Sequence, residues 1–269
     1  MVNKADEIIT IGPSGDTGLH VEAVKLMHSI FPRREPKAGG VEWLIKTCNA
    51  ACGMDVLIVH SPGGWGCSDI PHLINWERSV VDGIQEAAAK IGLKAALVQY
   101  FRTGSSSWDH LLYTPEQLKY AFTGKIYQAE IMAAQLKFIL EHVENIDIVL
   151  LGVSQGAAFN NTVMKHLGGS KNVYSIELGT FFAQLQRRVI TGNTLAIDSN
   201  GLMPDPVVHR NLKAAIKAYS MAPFRWLKYK LAGEPVKFTY CINVPGHDYN
   251  WQYPDVQRQI IEFLIKHFK

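Results

Sequence analysis

The sequence predicts an α/β domain built on a mostly parallel sheet with helices on both faces. Three observations point that way. Seven short apolar runs bounded by turn residues alternate with longer segments of helical period, as buried parallel strands and their covering helices do. The 269 residues, 47% hydrophobic and 19% charged, suffice for one large core, so a single domain over 1–269 is expected, with 1–52 set apart as an N-terminal extension of strand and helix. No internal repeat, low-complexity tract or Pro/Ser-rich linker interrupts the alternation.

In chain order, "EIITI" (7–11) stops at a Gly-Pro pair and is followed by a helical segment at 18–30. "FPRREPKAGG" (31–40) reads as a surface loop, and a second helix follows at 41–51. "DVLIVH" (55–60) ends at the glycine-rich "SPGGWG", with a helix at 77–91. "KAALVQYF" (94–101) precedes a long helix at 115–143, and "IDIVLL" (146–151) leads directly into a helix at 156–167. "NVYSIEL" (172–178), "NTLAID" (193–198) and "VKFTYCINV" (236–244) complete the strands, with helices at 207–231 and 254–268. Val256, Ile260, Phe263, Leu264 and the His267 or Phe268 end of that last segment share one side, the pattern of a helix packed on a core.

Charge and cysteine content exclude several classes. With 27 Lys+Arg against 24 Asp+Glu the net charge is +3, which leaves no global footprint for nucleic acid. "IITI" is too short for a signal-peptide core and no run approaches the roughly 20 apolar residues of a membrane span, so a soluble protein without signal peptide or transmembrane segment is expected. Cys48, Cys52, Cys67 and Cys241 are too few and scattered for a disulfide framework. Cys48 and Cys52 have helical spacing, but no second ligand pair follows, so they are expected as small buried or half-buried helix residues and no metal site is expected.

In a parallel sheet covered on both faces, reactive groups belong at the carboxyl ends of strands. "LLGVSQGAAF" sets Ser154 there, between Gly152 and Gly156, in a strand–turn–helix context. That context lifts the serine above the sheet and marks it as a nucleophile. A serine hydroxyl needs a base, and His247, in the loop between the last strand and the last helix, is the best placed of ten histidines. The acid that orients the imidazole lies between them in chain order. Asp198 ends the strand at 193–198 and is preferred, Asp205 in a proline-bounded loop is the alternative, and Glu177 and Glu234 are weaker. For the oxyanion, the Gln155 N–H at the helix start is one donor, and the second comes from Ser61, Gly63 or Gly64, since Pro62 has none. His60, at the strand end, is read as a brace for that loop, and Trp65 as an aromatic beside the substrate.

These motifs resemble a family. "GVSQGA", "LAIDSNGLM" and "HDYNWQYPDV" are similar to the cutinase-like serine esterases of the α/β-hydrolase fold, and within them most to the phage lysin B group, which cleaves mycolic acid esters of the mycobacterial envelope. The likeness runs from Asp55 to the C-terminus. It implies Ser154 as nucleophile, His247 as base and Asp198, whose flanking residues carry the likeness, as acid. The chemistry needs no metal or organic cofactor, and with no signal peptide or transmembrane segment a cytoplasmic protein is expected, or one released by lysis if phage-encoded.

Residues 206–233 carry six Lys or Arg and no Asp or Glu, interleaved with aromatic residues including Phe224 and Trp226. As a small helical cap this segment suits an acyl chain, with Phe224 and Trp226 against the substrate, or contact with an anionic envelope or membrane surface. The expectation is the ordinary arrangement, basic face in solvent and aromatic face in the core. The function predicted is a serine carboxylic ester hydrolase acting on a small-molecule or lipid ester through an acyl-enzyme. Acyl transfer or thioester hydrolysis on the same triad, or a non-catalytic binding module with this fold, are the alternatives.

Overall fold

The computed structural model describes residues 16–30, 38–64, 66, 68–102, 123, 126–209, 212–233, 241 and 244–269. The chain divides into two compact units, Met1–Asn49 and Ala50–Lys269. In the first unit lie α1 (Asp16–Ile30) and most of α2 (Ala38–Ala51). Helix α2 starts inside the stretch expected as a loop. Its early Gly40 sits directly on Met27, where a Cβ would come within 2.5 Å of the methionine methyl. The expected strand at 7–11 lies outside the described residues.

The second unit is built on five parallel strands: β1 (Val56–Ser61), β2 (Ala95–Gln99), β3 (Asp147–Val153), β4 (Val173–Leu178) and β5 (Thr194–Ile197). Their order across the sheet is β2-β1-β3-β4-β5. Helices α3 (Asn75–Lys90), α4 (Tyr127–His142), α5 (Gln155–Leu167), the short α6 (Phe182–Leu185), α7 (Leu212–Leu231) and α8 (Pro254–Phe268) connect or follow them. This is the α/β architecture expected, a parallel sheet with helices on both faces, and the serine turn lies between the central β3 and α5. Most of the expected strand at 236–244, and the first part of the helix expected at 115–143, lie outside the described residues.

Both faces of the sheet are buried, which explains why β1 and β3 are apolar without alternation. Val56 and Ile58 of β1 and Val149, Leu151 and Val153 of β3 join one core with Val80, Val81 and Ile84 of α3 and Val256, Ile260 and Phe263 of α8. The intervening Leu57, Val59, Ile148 and Leu150 are equally buried and point to the opposite face. There α5 packs on β1, β3 and β4, with α4 beside it. No described helix is long and apolar enough to cross a membrane.

The turn from β3 into α5 has no room for side chains at its two glycines. A Cβ on Gly156 would lie 2.1 Å from the Ser61 carbonyl oxygen, and one on Gly152 would lie 2.6 Å from the Gly156 carbonyl. Gly156→Ala should therefore destabilise the protein by about 1–3 kcal/mol in urea unfolding, the usual range for overpacking. Gly39→Ala, at a helical position with nothing within 4 Å, should be neutral or slightly stabilising. Equal stability of the two variants would contradict this packing.

Candidate active site

Ser154 follows β3 with φ 54° and ψ −113°, a positive φ that a serine adopts only under constraint. Its N–H donates to the Leu178 carbonyl at the end of β4 (2.8 Å), and Gln155 then opens α5. A turn this sharp is possible because the glycines on either side let α5 approach the end of β1.

The loop after β4 brings the other partners to the same place. Gly179, at φ +58°, touches three side chains at once: a Cβ there would lie 2.6 Å from Tyr249, 2.9 Å from Asp205 Oδ2 and 2.9 Å from His247 Cε1. Leu178 and Gly179, neighbours in the chain, thus carry the Ser154 amide on one side and the His247 ring on the other. His247 Nδ1 faces Asp205 Oδ2 at 2.7 Å, which leaves Nε2 as the ring's proton acceptor. Trp76, at the start of α3, meets His247 edge-on with ring centroids 6.3 Å apart.

The carboxylate on His247 is therefore Asp205, and the preferred Asp198 is elsewhere. Asp198 does stand at the end of β5, but both its oxygens accept from Arg188 Nη1, at 2.9 and 2.8 Å. The same guanidinium donates through Nε to Glu177 Oε2 (2.9 Å), a carboxylate buried inside β4 that also accepts from Asn161 and Ser175. Burial outweighs the Arg188 charge and these hydrogen bonds, and holds the Glu177 carboxyl above its usual range. Asp198 is needed as the second anion on Arg188.

The loop after β5 delivers Asp205 instead. Asn200 Oδ1 accepts the N–H groups of Leu202 and Met203, its amide nitrogen donates to Asp248, and Gly246 closes on the Pro204 carbonyl. Asp205 Oδ1 accepts from Val207 N–H (2.7 Å) and Val208 N–H (3.3 Å), and Oδ2 is left for His247 and the Tyr249 hydroxyl (2.6 Å). Burial pushes the Asp205 carboxyl up, but the His247 hydrogen bond and charge, with Tyr249 and Val207, overcome it and hold the group below its ordinary value. Burial, then the charge and hydrogen bond of Asp205, push the Tyr249 phenol upward. No role is assigned by sequence to Trp76, nor to Tyr249, although Tyr249 lies two residues after the histidine in the "HDYNWQYPDV" stretch.

Of the oxyanion candidates, two are already engaged. The Ser61 hydroxyl donates to Asn160 Oδ1 (2.7 Å), and Gly63 N–H donates to Glu77 Oε1 (3.0 Å). Among the described residues no acceptor meets Gly64 N–H, and Gln155 N–H, first in its helix, lies outside the i→i−4 ladder. Arg102 grips the loop by donating to the Pro62 (2.9 Å) and Gly64 (2.6 Å) carbonyls. His60 is fully buried: Gln99 Oε1 accepts from Ile70, so its amide nitrogen donates to His60 Nδ1, and His60 Nε2 donates to Glu77 (3.1 Å).

Trp65 and Cys67 lie outside the described residues. Phe224 of α7 is exposed, and Trp226 is half-buried with the Lys230 ammonium 4.9 Å from its ring. Cys52 is exposed just past the end of α2, whereas Cys48 is buried and its thiol is pushed up to about 11 by desolvation. Among the described residues no group of three His, Cys, Asp or Glu is gathered to hold a metal ion.

No family model and no curated protein matches the chain. Among solved structures it is similar to a Trichoderma reesei cutinase in complex with a C11Y4 phosphonate inhibitor, at 16% identity and a TM-score of 0.44, over 96% of this chain and 95% of that one. The residue assignments above rest on this chain's own geometry.

Because its folded-state pKa is depressed, Asp205 contributes stability that is fully present above the ordinary aspartate value, about 3.9, and is lost as pH falls through the lower folded value. Asp205→Asn should flatten the part of the stability–pH curve below about pH 4. A variant whose acid limb overlays that of the wild type would contradict the His247–Asp205–Tyr249 arrangement.

Proposed function

We propose that the chain is a serine carboxylic ester hydrolase. One observation carries the reading: a serine in a constrained strand–helix turn and a half-buried histidine held by a buried carboxylate meet the adjacent residues Leu178 and Gly179. A turn serine with no chemical task has no need of φ 54°, which costs about 1–3 kcal/mol.

In this mechanism the Ser154 hydroxyl attacks the ester carbonyl carbon while His247 Nε2 takes its proton. Asp205, and not Asp198, fixes the imidazole through Nδ1 and balances the imidazolium charge. The developing oxyanion accepts from the Gln155 and Gly64 N–H groups, the two candidates left uncommitted. His247 then protonates the leaving alcohol, and water, deprotonated by the same ring, releases the acyl group. Within this class, the likeness of the motifs to the lysin B group makes mycolyl esters a substrate to try beside simple esters.

Labelling by a fluorophosphonate and turnover of p-nitrophenyl esters of rising chain length test the reading. Ser154→Ala should abolish labelling and lower turnover about 10⁴-fold or more, and Asp205→Asn should lower kcat by about 10³–10⁴-fold. Asp198→Asn should chiefly lower the melting temperature, because it removes one of the two carboxylates on the buried Arg188 guanidinium. Retention of wild-type turnover by both Ser154→Ala and His247→Ala would overturn the proposal, and an Asp205→Asn enzyme as fast as wild type would remove that residue from it.

A further inference from the structure

Helix α7 turns large apolar side chains to solvent. Its inward side is marked by Ala222, fully buried, by Arg225, which donates to the Cys241 carbonyl, and by half-buried Trp226. At about 100° per residue, these directions centre opposite Phe224, Leu227 and Leu231, which fall within an arc of about 60°. Those three are 67%, 50% and 80% exposed, and from Leu227 on the helix is exposed all round, Tyr229 on the inward side included. The expectation that the apolar side of this segment lies in the core therefore fails for its C-terminal half.

The cations bracket the apolar stripe. Lys228 and Lys230 lie about 40° and 60° beyond its two edges, and the exposed Lys213 and Lys217 continue in line with it towards the N-terminus. A solvated face places charge outermost and apolar atoms at its margins. A face that enters a bilayer interface has the reverse order, with apolar side chains leading and long cationic side chains reaching out to the headgroups.

We infer that α7 is an interfacial helix that seats this protein on an anionic lipid surface, with Phe224, Leu227 and Leu231 entering the headgroup–acyl boundary and Lys228 and Lys230 meeting the anionic headgroups. The sign of the charge selects the partner. Residues 206–233 hold six Lys or Arg and no Asp or Glu, so a second copy of the same face would be repelled and a zwitterionic surface would leave the cations unmatched. The inference goes beyond the esterase reading and does not depend on it.

Flotation of the full chain with phosphatidylcholine vesicles, with and without phosphatidylglycerol, tests it. The wild type should float with the anionic vesicles, lose that binding in high salt, and bind neutral vesicles about tenfold less. Phe224→Ser/Leu231→Ser and Lys228→Glu/Lys230→Glu should each weaken binding about tenfold or more while melting as the wild type does, since all four positions are exposed. Ser154→Ala should float unchanged, which separates this outcome from that of the labelling experiment. Absence of flotation, equal flotation with neutral vesicles, double variants that float as well as the wild type, or a dimer in solution abolished by Phe224→Ser/Leu231→Ser would each overturn it.

Discussion

The approach of α5 to the end of β1 is the contact on which the site geometry depends. At Gly156 the helix backbone rests on the Ser61 carbonyl, and at Gly152 the strand backbone rests on Gly156, with no side chain between. That distance sets three things together: the positive φ of Ser154, the position of Gln155 N–H at the head of the helix, and the seating of the 61–64 loop beside Val153. A wider turn would move all three, and in the proposed mechanism a reacting carbonyl would meet Ser154 and the N–H donors out of register.

The remaining parts are placed by polar tethers. Arg188 and Asn200 are the two that matter most, because each uses a side chain to decide where a carboxylate points. Arg188 draws Asp198 towards buried Glu177, and Asn200 folds the following loop so that Asp205 arrives under His247. On the other side of the elbow, Arg102, Glu77 and His60 hold the loop after β1 through its backbone groups. Such charged groups occur inside the fold because nearly every one meets an opposite charge or a backbone dipole.

The sheet was legible because burial on two faces writes continuous apolar runs into the sequence, and β1, β3 and β4 were each found within a few residues. The serine turn was legible for a related reason, since close backbone approach demands glycine at fixed offsets. The choice of acid was not. Asp198 and Asp205 both follow β5, and what separates them is which one an arginine ten residues upstream of Asp198 claims, a contact with no local signature. Tyr249 escaped for the same reason, as its hydroxyl acts through a tertiary contact with Asp205. The outward turn of Phe224 and Leu231 could not be read from composition, because an amphipathic period does not say which face meets the protein.

The Glu177–Arg188–Asp198 trio also constrains how this chain can change. The Arg188 side chain, 4% exposed, is the cation between two carboxylates, so its loss strands two negative charges side by side, one of them fully buried, whereas loss of either carboxylate leaves a neutral pair. Substitutions at these three positions are accordingly expected to be non-additive, with loss of Arg188 tolerated only once a carboxylate has gone. Exchange of the whole trio for apolar residues of matching volume is open to drift, but not by a path that starts at Arg188. Positions 177, 188 and 198 should therefore co-vary among descendants of this sequence as one inherited unit, although 198 is solvent-facing enough to look free.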